Sequence, residues 1–447
     1  MKSHQFSRVL LHTRFELDRF ERTLSRLEAH DFPSDVAKIL IAGQKRESET
    51  ADQSLAAIEA DYEDDPEGAS ARLVSEYRKL MQRRRYLEVL EKARSDELPW
   101  SLVPSIERLA ESILPGRRVL VTTTPDMNYM VSWSRTPDQP VTVYLPKLHR
   151  ANAFLHVLIG HELFHPAVDT FLPEERIVIT PKLRDDCKQL LVKVDGEPDL
   201  FSQNRLDAVL KYALEQWERG LTELMCDMGA ASLFGPAALW TISGFAASQD
   251  LDVPPTPENQ FYPPWRMRVK AVLDYIVQVD DGENLLVNVC KSLKNADLND
   301  HVQAIINSLE AEKGICTAEE LAKHSFADTL TIKVYEHVGE SLERGRDFVK
   351  DVASKIADRW SNTFGQVSEL LKRLALLVPP SELIDAGKQA SNAASLSAIV
   401  LACWIERLLM EQNNSLGLSE YRRLCRLMLK AIEDAELKRE FADRGAK

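Results

Sequence analysis

Apolar residues recur at helical spacing over most of this chain. Val9, Leu10, Phe15, Leu17, Phe20, Leu24 and Leu27 give residues 5–30 one apolar side among charged positions, the pattern of a long amphipathic helix. A second charged helical pattern covers 70–94, with another helical stretch between them. The Tyr62-Glu63-Asp64-Asp65-Pro66-Glu67-Gly68 segment reads as a loop. Residues 1–97 are therefore expected to form an N-terminal helical hairpin or bundle. The period then shortens to two. Residues 118–124, 129–134 and 141–145 are rich in Val, Thr and Tyr, and Thr136-Pro137-Asp138-Gln139-Pro140 stands as a hairpin turn between the last two.

After this short sheet comes the most apolar helical pattern. Ala153-Phe154-Leu155, Val157-Leu158-Ile159 and Leu163-Phe164 carry hardly a polar position, with Asn152 placed as N-cap and Pro166 as stop. A long helix is expected from about Leu206 to Leu233, where Leu210, Leu214, Trp217, Leu221, Leu224, Met225 and Met228 recur and Gly229, Ala230, Ala231 and Ser232 permit close packing. From residue 286 onward the pattern is helical: 285–293, 301–313, 317–324, 332–364, 365–377 and helices on either side of Asn413-Asn414. Thr317-Ala318-Glu319-Glu320 resembles a capping box, and Pro379-Pro380 is a break. The expectation is an α+β chain, predominantly helical: an N-terminal region to 97, a middle domain over 98–285 holding the sheet, and a C-terminal helical domain over 286–447.

Composition narrows the class. A chain of 447 residues with 44% apolar and 28% charged residues has room for several domains and the makeup of a soluble globular protein. A net charge of −13 argues against general binding of nucleic acid or anionic membranes. The basic clusters at 79–85 and 422–430 lie in helical patterns and read as solvated faces. Six scattered cysteines without a Cys-x-x-Cys pair, and an N-terminus without an apolar export segment, fit a cytoplasmic protein. The apolar stretch 394–404 is about half the length of a transmembrane helix, so no membrane span is expected.

The candidate chemistry lies in the middle. His161-Glu162-Leu163-Phe164-His165 puts two imidazoles one helical turn apart, able to reach one Zn²⁺ ion, with Glu162 beside the metal-bound water as general base. Burying two histidines and a glutamate in so apolar a helix is costly without a partner, and a metal satisfies all three. The plainer reading is a core helix with internally hydrogen-bonded histidines. Further on, Glu223-Leu224-Met225-Cys226-Asp227 sets Glu223 and Asp227 at i and i+4 on one face. Glu223 is the candidate third ligand, and Asp227 the carboxylate that orients a ligand histidine. Glu218, roughly 140° around the helix from Glu223, cannot easily join them. Asp169, four residues after His165, is the rival third ligand, ranked second because it lies beyond Pro166. Cys226 is expected to point away from Glu223 and to pack.

The pair of motifs His161-Glu162-x-x-His165 and Glu223-x-x-x-Asp227 resembles the gluzincin class of zinc metallopeptidases. Tyr262-Pro263-Pro264-Trp265-Arg266-Met267-Arg268 is similar to the His-Pro-Pro-x-x-x-Arg segment of its CAAX-prenyl-endopeptidase/HtpX-like branch, with Tyr262 where that branch has histidine. The resemblance covers about residues 115–275. It implies a zincin-like core, one Zn²⁺ per chain, hydrolysis of peptide bonds in a protein or peptide substrate, and Tyr262 and Arg268 as stabilisers of the oxyanion. Tyrosine can donate to an oxyanion but is a different acid from imidazole. The resemblance also implies an edge strand that pairs with extended substrate, for which Val141–Leu145 is the candidate. Members of that branch are typically embedded in membranes, and this chain departs from them there.

Two other readings stay open: a zincin scaffold that binds or regulates, with weak or triggered proteolysis, and an interaction protein whose motif is accidental. The C-terminal helical region has no catalytic motif. It is left to restrict access, to recruit a protein partner or to hold a dimer.

Overall fold

The structure, a computed structural model, describes residues 3–95, 98, 102–126, 128–134, 139–195, 202–246, 253–278, 325–354, 360–383 and 392–445. The helices expected over 285–293, 301–313 and 317–324, the capping box at Thr317, and most of the Thr136–Pro140 turn lie outside these residues. The protein is mostly helical with a small sheet, and it divides into two compact units. One comprises 1–107 with 117–150; the other comprises 108–116 with 151–447. These units cut the chain differently from the three regions drawn from sequence. The sheet goes with the N-terminal helices, and the histidine motif goes with the C-terminal helices.

In the first unit, α1 (Ser3–Glu28), α2 (Asp35–Ala60) and α3 (Pro66–Lys92) pack on one another as three helices, one more than a hairpin has. Phe6, Leu10, Leu17, Phe20, Leu24 and Leu27 of α1 meet Ile41, Leu55 and Ile58 of α2 and Leu73, Leu80 and Leu90 of α3. Phe15 is not part of this face. It lies two positions from Leu17, roughly 200° around the helix, and is 56% exposed under the guanidinium of Arg19. Ser34 caps α2 by accepting from the Val36 N–H, and Asp65 caps α3 by accepting from the Gly68 N–H. Pro66 therefore opens a helix rather than sitting in a loop, because the first helical position needs no amide proton.

Strands β1 (Val119–Thr124), β2 (Met130–Ser132) and β3 (Val141–Pro146) form a sheet in the order β1-β3-β2. β1 runs parallel to β3 with Val119 opposite Val141, and β2 runs antiparallel with Val131 opposite Val143. The candidate edge Val141–Leu145 is thus the central strand. Both sides of its backbone are already paired, and Val141, Val143 and Leu145 are fully buried. It has no free row of donors and acceptors for a substrate, so that expectation is overturned. Leu120 joins the helical core and the Thr122 hydroxyl donates to the Val89 carbonyl at 2.9 Å, seating β1 against α3. Helix α4 (Leu102–Ile113) is divided between the two units after Glu107.

The second unit is built on two long helices, α5 (Leu158–Asp195) and α6 (Ser202–Phe234), which run antiparallel side by side. Their order of contact shows it: Gly160 lies against Phe234, Phe164 against Gly229, Arg176 pairs with Glu218, and Arg184 with Asp207. Asn152 does not cap α5. A 3₁₀ turn over Ala153–Val157 intervenes, and the Asn152 side chain accepts from the Tyr421 hydroxyl at 2.7 Å. Nor does Pro166 stop the helix. α5 continues through Pro166, Pro173 and Pro181, although each interior proline costs about 3 kcal/mol locally. Fully buried Leu163, Phe164, Val168, Ile179 and Leu183 hold it in place, and tertiary packing outweighs local preference.

Four more long or medium helices enclose the pair: α7 (Pro236–Ala246), α8 (Trp265–Gln278), α9 (Phe326–Ser354) and, after α10 (Trp360–Ala375), the apolar α11 (Leu396–Gln412). Helix α12 (Leu418–Gly445) closes the chain, and a two-residue ladder, β4 (Glu382–Leu383) with β5 (Asn392–Ala393), interrupts the helical run after Pro379-Pro380. α9 bridges α5 and α6. Its Ser341 hydroxyl donates to Glu175 at 2.8 Å and accepts from Trp217 Nε1 at 3.3 Å, while Arg344 grips the same glutamate. Among the described residues, no helix is long and apolar enough to cross a membrane.

Candidate metal centre

Glycines bring the two histidines to α6. A Cβ on Gly229 would lie 2.2 Å from the Phe164 ring, and one on Gly160 would lie 2.9 Å from Phe234. The helices therefore approach at two glycine positions that flank the motif, one on each helix. His161 sits in the first turn of α5 and His165 one turn later. Both are buried, as are Glu223 and Asp227 opposite them on α6.

Glu223 Oε2 lies 3.4 Å from His161 Nε2, and Glu223 Oε1 lies 4.0 Å from His165 Nε2. Ligands 2.0–2.1 Å from a tetrahedral zinc are about 3.3 Å apart. The two distances run to different oxygens of Glu223, one at about that spacing and one somewhat above it. Asp227 Oδ1 lies 2.8 Å from His161 Nδ1, which leaves Nε2 to face Glu223. Glu162 Oε2 is 4.0 Å from His165 Nε2 and keeps some contact with solvent. Glu223 Oε1 has no hydrogen-bond partner among the described residues, although it is buried. The Arg219 guanidinium lies 3.1 Å from it, so its charge is already opposed while its hydrogen-bonding capacity is not filled. The donor set of two imidazoles and a carboxylate, with a polarising aspartate behind one imidazole, suits Zn²⁺.

Burial and the surrounding charges drive the two imidazoles in opposite directions. Burial, the largest influence on His161, pushes its pKa down, yet Asp227 and Glu223 together push it up to about 10. His165 goes the other way, lowered to about 3 by burial and then by the charge on His161. Burial raises Glu162 to about 7. Glu223 and Asp227 are held well below the usual carboxylate range: burial opposes this, and His161 and Arg268 overcome it.

Arg268 is turned to Asp227. Its Nε and Nη2 hold both oxygens of Asp227 at 2.7 and 2.8 Å, its Nη2 is 3.5 Å from Glu223, and the side chain is buried with the Trp265 ring against it. This is a bidentate pair, and it spends the arginine's geometry on fixing Asp227. Tyr262 is 37% exposed, its ring 4.1 Å from the Arg219 guanidinium and 5.9 Å from that of Arg268.

Cys226 also departs from expectation. Its Sγ falls within 4.8 Å of ring nitrogens of both His161 and His165, all three buried. At i+3 from Glu223 it is only about 60° around the helix from it, and close packing turns it toward the histidines. Burial and the three surrounding carboxylates push its thiol well up. Asp169 rides on the continued α5, half-buried, so the argument that Pro166 excludes it no longer holds. Glu223 faces both Nε2 atoms, and Cys226 is the other donor beside the two histidines. Glu218 is turned outward to Arg176.

Sequence reasoning missed Arg219. It lies one turn before Glu223, with Nη2 3.1 Å from Glu223 Oε1. The i, i+4 spacing from Glu223 was the available signal. Comparison of the chain with protein-family models, with curated proteins and with solved structures finds no match.

Proposed function

We propose that this protein is a zinc-dependent endopeptidase with a zincin-like core, acting in the cytoplasm on protein or peptide substrates. One observation carries the reading: two imidazole Nε2 atoms and the Glu223 carboxylate converge within 3.4 and 4.0 Å, with Asp227 behind His161. His161, His165 and Glu223 would hold the ion. Bound zinc supplies a water acidified toward neutrality and polarises the substrate carbonyl. Asp227 accepts from His161 Nδ1–H and so fixes the tautomer that presents Nε2. Glu162 takes a proton from the water as its oxygen attacks the peptide carbon. It then hands that proton to the leaving nitrogen, the C–N bond breaks, and an acid and an amine result.

The placement in the cytoplasm draws on four described cysteines that are all free thiols. A second reading, a zincin scaffold that binds or regulates with weak or triggered hydrolysis, draws on the commitment of Arg268 to Asp227.

Metal content by mass spectrometry tests the site. Wild type should carry about one zinc per chain and His161→Ala none, whereas a zinc-free wild type after resupply ends the proposal. Cleavage of a denatured polypeptide library then separates the readings. Broad cleavage by wild type, with Glu162→Gln retaining zinc and losing turnover, supports the peptidase. An intact library over a zinc-loaded protein supports the scaffold.

A further inference from the structure

The proposed reaction needs a cation at the carbonyl oxygen as it gains charge, and the arginine marked by the family resemblance is occupied. Arg268 is buried, and two of its nitrogens are bound to Asp227. Arg219 has the opposite character. Its side chain retains 30% exposure, and its Nη2 approaches Glu223 Oε1 at 3.1 Å. Neither Arg219 Nε nor that oxygen has a hydrogen-bond partner among the described residues. The two charges are adjacent without satisfying each other's hydrogen bonds. Both of these atoms are buried, so what Arg219 offers to solvent is the remainder of its 30% exposed side chain.

Tyr262 settles where the guanidinium can go. Its ring lies 4.1 Å from the Arg219 carbon centre, so the flat cation is braced by an aromatic face. Arg219 comes from α6, one turn from the proposed ligand, and Tyr262 from the segment just before α8. With Tyr262 37% and the Arg219 side chain 30% exposed, this pair is the part of the cluster that meets solvent, whereas Glu223, Asp227 and Arg268 are buried.

We propose that Arg219, backed by Tyr262, is the catalytic cation that donates to the scissile carbonyl oxygen, and that Arg268 is a positioning residue for Asp227. The inference rests on the zinc peptidase reading. It makes the substrate's tetrahedral oxyanion the ligand of Arg219, so recognition falls on the peptide unit itself rather than on a particular side chain.

The test uses the zinc-loaded full chain and a pool of N-blocked phosphonamidate tripeptides varied at the flanking positions. Their tetrahedral phosphorus oxygens imitate the oxyanion, and simple hydroxamates of the same peptides serve as comparison. Removing one preorganised donor should weaken binding of the charged tetrahedral group by about 10²-fold, the scale on which such donors act. Arg219→Gln should therefore lose about 10²-fold in phosphonamidate affinity by calorimetry. It should keep one zinc and change hydroxamate affinity by less than about threefold, with Arg219→Lys recovering part of the loss. Unchanged phosphonamidate affinity in Arg219→Gln overturns the proposal. So does a joint loss of zinc and both inhibitors, which makes Arg219 a support for Glu223, or a wild type that binds hydroxamates and no phosphonamidate. A wild type without zinc fails earlier and refutes the peptidase reading instead.

Discussion

Replacing Gly229 by alanine puts one methyl group where α5 and α6 are closest. The added carbon would lie 2.2, 2.4 and 2.6 Å from three atoms of the Phe164 ring, about 1.2 Å short of the 3.4 Å where ordinary contact begins. Phe164 is fully buried, so its ring has no solvent to turn into. The helices must separate or the ring must leave its rotamer. Overpacking of this kind costs about 1–3 kcal/mol, partly offset by the ~1 kcal/mol that alanine gains over glycine inside a helix. The clash involves a ring flanked by helix backbone rather than a flexible chain end, so the net loss should lie near the top of that span, about 2 kcal/mol. Urea denaturation of Gly229→Ala beside wild type measures it. Gly244→Ala is the control: its added carbon meets nothing within 4 Å, and it should gain about 0.5–1 kcal/mol. Adding Phe164→Leu to Gly229→Ala should recover part of the loss, a coupling that a double-mutant cycle reads. A Gly229→Ala protein as stable as wild type would refute the reasoning, since the glycine would then not be setting the approach that brings Glu223 to the histidines.

Other expectations follow from the same geometry. Asp227→Asn leaves Arg268 buried without its bidentate partner and should destabilise the second unit by about 3–5 kcal/mol, seen as a lowered denaturation midpoint; an unchanged midpoint would count against the pair. The same variant, if folded, should bind zinc roughly 10–100-fold more weakly by competition with a chelator. Burial alone would raise Glu175, yet hydrogen bonds from Arg344 and Ser341 hold it below the usual carboxylate range. Its contribution to stability is thus present above the unfolded pKa and fades as pH falls through the lower folded one. Glu175→Gln should flatten that part of the acid-stability curve, and a curve parallel to wild type would show that the network carries no pH dependence.

The helices with sharp amphipathic patterns were legible because their partners were local in character: any apolar surface would have served Leu17, Leu24 or Leu27. The position of α6 and the pairing of Glu223 with Asp227 were readable for a related reason, since i, i+4 spacing fixes a shared face whatever the neighbour. What escaped reading depended on partners distant in sequence. Pro166 reads as a stop because the local cost is visible and the compensating grip of α6 and α9 is not. The central place of Val141–Leu145 depends on a parallel partner, β1, that arrives across an intervening strand. Cys226 was judged by helical angle alone, and the angle from Glu223 was not decisive once the helices closed. Arg268 shows the limit of a motif: the residue was found, but its partner Asp227 was known only as a helper to histidine.

The antiparallel α5–α6 pair has a kinetic consequence. His161, His165, Glu223 and Asp227 all lie on these two helices, which follow each other directly in the chain. Closing a hairpin of neighbouring helices asks for little loop entropy compared with docking α9 or α11. The donors nevertheless sit at the open end of that hairpin: His161 is 66 positions from Asp227, whereas Arg268 is only 41 positions from it, so Arg268 can pin Asp227 before the histidines arrive. An ion of the kind proposed would clamp the two helix ends that close last, so zinc should slow unfolding more than it speeds refolding.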